Sequence, residues 1–138
     1  TVNVPLPPGA TGDMYRLGVD ELVAPLVASF DPAWLLVSLG FDAHRRDPLT
    51  GLSLSSADFA EAVAGLVALV PSGRSVLFLE GGYDLDALEP SVAAVLSRLA
   101  GSPLHFEDPT AHGPGHHLNE AVRRERAAVG LSLSAPPA

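Results

Sequence analysis

Two short apolar runs constrain the fold of this chain more than any other feature. Leu35-Leu36-Val37-Ser38-Leu39 leads into Gly40-Phe41-Asp42-Ala43-His44, and Val76-Leu77-Phe78-Leu79 leads into Glu80-Gly81-Gly82-Tyr83. Runs of this length, rich in Leu and Val and bounded by glycine, read as β-strands. Between them Phe59, Val63, Leu66, Val67 and Val70 recur at helical spacing. Strand, helix, strand is the signature of a parallel pair, because parallel strands need a long crossover between them. The nearly continuous apolar character of residues 35–39 predicts a strand buried on both faces. In open α/β sheets, chemistry sits just outside the carboxyl ends of such strands. The pattern therefore brings a carboxylate, Asp42, and a phenol, Tyr83, to one edge of a sheet.

The flanking segments extend the same alternation. Residues 1–6 read as a short strand already under way, and Pro7-Pro8-Gly9 opens a turn-rich loop. Val19, Leu22, Val23, Leu26, Val27 and Phe30 predict one helical face over about 13–30, kinked or broken at Pro25 and stopped by Asp31-Pro32. Ser55, Ser56 or Asp58 is placed to cap the next helix, with Asp58 and Glu61 at capping-box spacing. Leu88, Val92, Val95, Leu96 and Leu99 predict a third helix over about 85–100. The expected architecture is α/β, a three-stranded parallel sheet flanked by helices, within residues 1–101. Residues 102–138 read as a C-terminal tail with a short helix near 119–128 and a disordered end at 134–138.

Composition removes several function classes. The 47% hydrophobic content suits a folded domain, while a net charge of −8 opposes a nucleic-acid or anionic-membrane surface. With no cysteine, any metal must be held by His, Asp or Glu. No apolar run approaches the roughly 20 residues that span a bilayer. The chain opens on Thr1 directly into strand-like sequence, which leads us to expect a piece of a longer protein.

Among residues that carry chemistry, Asp42 is either a loop-capping carboxylate or a metal ligand, and one carboxylate cannot hold zinc. Tyr83 is either an aromatic packing on the next helix or a phenol donating to a developing oxyanion. His44 is spaced to join Asp42 as a ligand pair, but anchoring its long loop by hydrogen bonds is the favoured reading. Gly115-His116-His117 offers a histidine pair for general-base work, in a segment where solvated histidines are the norm. Nucleotide-binding and serine-hydrolase motifs do not occur.

Taken together, these stretches resemble the histone deacetylase superfamily. The resemblance is closest to its class II-like branch of bacterial deacetylases, acetylpolyamine amidohydrolases and acetoin-utilisation proteins. It is carried by Val2-Asn3-Val4-Pro5-Leu6-Pro7-Pro8-Gly9, by Leu36 to Arg45, by Asp47-Pro48-Leu49-Thr50-Gly51-Leu52 and by Leu79 to Leu85. It covers Thr1 to about Gly101 and implies the C-terminal part of an arginase/deacetylase-like fold. It further implies that Asp42 is the last of three zinc ligands and that Tyr83 polarises the amide carbonyl. Leu49 would be a wall of the acyl-lysine tunnel, and Gly81 and Gly82 would shape the pocket floor. The resemblance also weighs against His44 as a ligand.

In that family an Asp-x-His pair supplies the other zinc ligands and a His-His dyad acts as base and acid. Both precede the region that begins at Val2, so the isolated chain is expected to be nearly inert and not to bind zinc stoichiometrically. The implied activity is zinc-dependent removal of acetyl or other acyl groups from lysine side chains or polyamines, in the cytoplasm. The competing reading is a non-catalytic, deacetylase-like binding module. An arginase-like hydrolase would want Asp-x-Asp where this chain has Asp42-Ala43-His44.

Overall fold

The structure, a computed structural model, describes residues 1–115 and 117–130, and of Asn119 only the backbone. Helix α1 (Gly12–Gly18) passes through a π-helical turn (Val19–Val23) into α2 (Ala24–Phe30). Strand β1 (Leu35–Leu39), helix α3 (Ser56–Val67), strand β2 (Ser75–Leu79) and helix α4 (Leu85–Leu99) follow, then α5 (Leu118–Ala128). β1 and β2 pair in parallel, Leu35 opposite Ser75 and Leu39 opposite Leu79, with α3 in the crossover between them. The α/β architecture read from the sequence, a parallel sheet flanked by helices, is present.

The sheet of the described residues has two strands rather than three. Residues 1–6 are extended enough to alternate in burial, and Val2, Val4 and Leu6 pack on a cluster formed by Leu22, Leu118 and Val122. Their period-two pattern is real, but no described strand pairs with it, so it is not a strand. β1 departs from expectation in the same way. Alternate residues face a solvent-open side, and Leu36 is 66% exposed.

The main core joins Phe41, Leu54, Phe59, Ala60, Val63, Ala94 and Val95, so α3 and α4 close over one face of the strand pair. Phe41 and Phe59 meet edge to face with ring centroids 4.9 Å apart, a geometry that suits the aromatic quadrupole. Phe30, Leu96 and Leu99, assigned to buried stripes by periodicity, are exposed. The expected break near Pro25 is found as the π-helical turn that precedes it, with Pro25 at the second residue of α2. α2 stops at Asp31, whose left-handed φ of 50° turns the chain before Pro32. The capping box of α3 is Ser55 with Asp58, not Asp58 with Glu61. Asp58 N–H donates to Ser55 Oγ at 3.3 Å and Ser55 N–H donates to Asp58 Oδ2 at 2.9 Å.

Among the contacts that tie the segment after Gly101 to the body, two meet the start of α3. Thr110 donates its N–H and hydroxyl to Asp58, and Glu107 accepts the Ser56 N–H at 2.8 Å. The expected disorder of residues 134–138 lies outside the described residues. No helix among the described residues is long and apolar enough to cross a membrane.

Candidate active site

β1 and β2 end level with each other, and their pairing continues beyond the strands. Glu80 N–H donates to the Leu39 carbonyl at 3.1 Å, and Phe41 N–H donates to the Gly81 carbonyl at 3.2 Å. This brings Asp42 beside the Gly81–Tyr83 loop. A Cβ on Gly81 would stand 3.6 Å from the Asp42 carboxyl carbon. Gly81 and Gly82 adopt φ of 104° and 108°, a region that residues with a Cβ avoid. At Gly82 a Cβ would also lie 3.0 Å from that of Phe41 and 3.2 Å from a Leu88 methyl. The two glycines thus let the chain pass close over the core and turn outward to Tyr83, whose side chain is 61% exposed.

The loop from Asp42 to Leu54 is held from several sides. Thr50 donates its hydroxyl to the Asp42 carbonyl at 2.7 Å, and Leu54 bridges back to His44. His44 is 1% exposed and stacks with Phe59, while its Nε2 lies 2.9 Å from Glu107. It anchors the loop, as the favoured reading of the sequence had it. Burial pushes the Glu107 carboxyl up, but the Ser56 N–H, His44 and Arg45 outweigh that and hold it at about 2.

Asp47 is a residue whose role sequence reasoning missed. It is 7% exposed, and its Oδ2 accepts the Tyr83 N–H at 2.6 Å and the Asp84 N–H at 3.3 Å. Its Oδ1 accepts the Leu49 N–H at 2.9 Å. Burial pushes its carboxyl up, and these N–H donors more than reverse the effect, leaving it below the usual carboxylate range. The bond to Leu49 is an Asx turn and was legible in Asp47-Pro48-Leu49. The bond to Tyr83, 36 residues away, had no local signal.

Leu49 itself is 64% exposed at the same edge of the molecule as Tyr83, since one carboxylate holds both backbones. His117 is an exposed residue at the start of α5, and His116 lies outside the described residues. A cavity of about 310 Å³ bounded by α3, α4 and residues 103–109 takes in neither Asp42 nor Tyr83. Among the described residues no three His, Asp or Glu side chains converge as a metal site. Asp42 stands as a single carboxylate beside the Gly81–Tyr83 loop.

A model of the histone deacetylase domain matches residues 1–99. The chain belongs to the histone deacetylase family. It is 37% identical to histone deacetylase 10, chloroplastic, of Oryza sativa over 91% of this chain and 30% of that protein. It is 35% identical to a probable deacetylase of Archaeoglobus fulgidus over 96% of this chain and 37% of that one. The crystal structure of the HDA15 HD domain superposes with a TM-score of 0.76 at 31% identity, over 91% of this chain and 34% of that domain. The chain thus spans about a third of the length of the Oryza sativa and Archaeoglobus fulgidus relatives.

Proposed function

We propose that the gene product carrying this chain is a zinc-dependent amidohydrolase. Its substrates would be acylated amines, either acetyl-lysine side chains or acetylpolyamines, and this chain would contribute part of the active site. The observation that carries the reading is the convergence of Asp42 and the Gly81–Tyr83 loop at the paired carboxyl ends of β1 and β2. Asp42 would serve as one zinc ligand. Zinc, when bound, supplies Lewis acidity and lowers the pKa of the attacking water.

The chain's own residues supply the rest of what it contributes. Tyr83, presented at the rim by two glycines, donates its phenol hydrogen to the carbonyl oxygen as negative charge develops there. A neutral donor placed for the oxyanion is worth about 2.7–4 kcal/mol of barrier. Leu49 offers an apolar wall for the methylene stem of an acylated amine. The net charge of −8 suits a cationic substrate.

The test is Tyr83→Phe in the complete gene product, assayed on an acetyl-lysine peptide and on an acetylpolyamine. A fall of about 10²–10³ in kcat supports the role, and unchanged kcat removes it. Titrated alone with zinc, the 138-residue chain is expected to show no stoichiometric binding; tight one-to-one binding would mean that a ligand set has been missed.

A further inference from the structure

The buried Asp47 carboxylate grips the backbone of two separate loops, at Leu49 and at Tyr83. Oδ2 receives the N–H of Tyr83 at 2.6 Å and of Asp84 at 3.3 Å, and Oδ1 receives the N–H of Leu49 at 2.9 Å. We propose that Asp47 is a positioning residue, a brace that fixes the Tyr83 phenol relative to the Leu49 wall. The inference rests on the oxyanion role proposed for Tyr83 and extends it to a residue with no direct part in the chemistry.

Three features support a brace rather than an ordinary loop bond. First, the Tyr83 segment needs one. Gly81 and Gly82, both at positive φ, precede it, and glycine leaves a chain free to take many conformations. The Tyr83 side chain is itself 61% exposed, so packing alone does not fix it. Second, the bonds are built to hold. Charge-assisted hydrogen bonds to a carboxylate are short and roughly twice as strong as neutral ones, and this carboxylate is sheltered from water. Asp84 adds a further hold, because its side chain accepts the Ala87 N–H at 2.9 Å and so caps α4. The peptide that follows Tyr83 is thereby pinned to a helix as well as to Asp47.

Third, the other end of the brace is anchored. Asp47 N–H donates to the His44 carbonyl at 2.8 Å, and His44 is locked by Glu107. Asp47 therefore belongs to a packed loop rather than to a moving one. An oxyanion donor acts through its placement. A shift of about 1 Å at a reacting group costs up to about a hundredfold in rate, and that sets the size of the effect.

The decisive experiment is a double-mutant cycle on the complete gene product with Asp47→Asn, Tyr83→Phe and the pair, measuring kcat and KM on an acetyl-lysine peptide. Asp47→Asn is expected to lower kcat about 10- to 100-fold with little change in KM. In the Tyr83→Phe background the same change is expected to cost almost nothing, because the phenol it would position is gone. Equal losses in both backgrounds would make Asp47 a general structural residue and overturn the proposal. Full kcat in Asp47→Asn would do the same. Full activity in Tyr83→Phe would instead overturn the underlying role of Tyr83, so the two failures are distinguishable. Hydrogen exchange at the Tyr83 amide of the unmutated protein keeps the proposal exposed should Asp47→Asn fail to fold. Exchange as fast as an unstructured amide contradicts the brace, and strong protection supports it.

Discussion

The Nε2 of His44 lies 2.9 Å from a Glu107 carboxylate oxygen, so the loop that follows β1 is fastened to a residue beyond the segment that matches the family model. The Arg46 N–H points at Nδ1 of the same ring at 3.2 Å, which leaves Nε2 to carry the proton toward Glu107. That carboxylate also accepts from the Arg45 guanidinium at 2.5 Å and from the N–H of Ser56 at the start of α3. A negative charge at a helix N-terminus is favoured as well by the peptide dipoles. One carboxylate thus joins the site loop, the crossover helix and the C-terminal segment.

A pH dependence follows with a definite sign. The Glu107 carboxyl is held at about 2 in the folded protein, against an ordinary 4.5. A depressed carboxyl stabilises the fold above its unfolded pKa and loses that contribution as pH falls toward the folded value. Glu107→Gln is therefore expected to lower Tm at neutral pH, with the deficit shrinking between about 4.5 and about 2. Thermal melts of both proteins across that window check it. A deficit that persists unchanged to the acid end would mean that shape, not charge, holds the segment.

Gly82→Ala tests the close passage of the loop over the core. A side chain there meets both a φ of 108° and atoms of Phe41 and Leu88 at 3.0 and 3.2 Å. Backbone strain of this kind costs on the order of 1–3 kcal/mol, and crowding adds to it. Gly73 is the control, since its φ of 78° is also positive but open space surrounds it. In urea unfolding Gly82→Ala is expected to lose clearly more stability than Gly73→Ala. Equal losses would show that the loop relaxes away from Phe41.

Ser55→Ala removes the cap of α3 at a fully buried position. The Ser55 hydroxyl also bonds Asp58 Oδ2 at 3.0 Å, the oxygen that receives Thr110 from the C-terminal segment. Loss of an N-cap costs about 1 kcal/mol, and the same substitution weakens the bond network around Asp58. The expected result is a drop of at least that size, accompanied by faster hydrogen exchange at the Thr110 amide. Exchange at Thr110 that does not change would separate the cap from the network.

What could be read from the sequence divides by range. β1, β2, α3 and α4 were legible because each carries its own local signal within five to fifteen residues, an apolar run for the strands and helical spacing for the helices. The carboxyl-end location of Asp42 and Tyr83 followed from strand order alone. Residues 1–6 misled because alternation reports which side chains face inward, not whether a neighbouring strand exists to pair with. The exposed faces of Leu36, Leu96 and Leu99 misled for a related reason, since periodicity marks an apolar face without showing what covers it. The capping box was placed three residues late because Ser55 and Asp58 both suit an N-cap, and only the bonds decide between them. Asp47 and Glu107 stayed hidden because their partners lie 36 and 63 residues away, at Tyr83 and His44.

Leu49 gives the sharpest separation of function from stability. Its side chain is 64% exposed, and its backbone is held by Asp47 whatever the side chain is. Truncation to Ala removes apolar surface that the folded chain does not use, and exposed changes of this type stay within about 0.5 kcal/mol of neutral. If Leu49 lines the path of an acylated amine, the same truncation removes contact with the substrate stem. Each methylene in such a contact is worth about 1–3 kcal/mol. Leu49→Ala in the complete gene product is therefore expected to leave Tm unchanged and to raise KM for an acetyl-lysine peptide about tenfold. Steady-state kinetics beside a thermal melt check both halves. An unchanged KM would place the substrate path elsewhere along the edge, and a lowered Tm would show that the side chain packs in the complete protein.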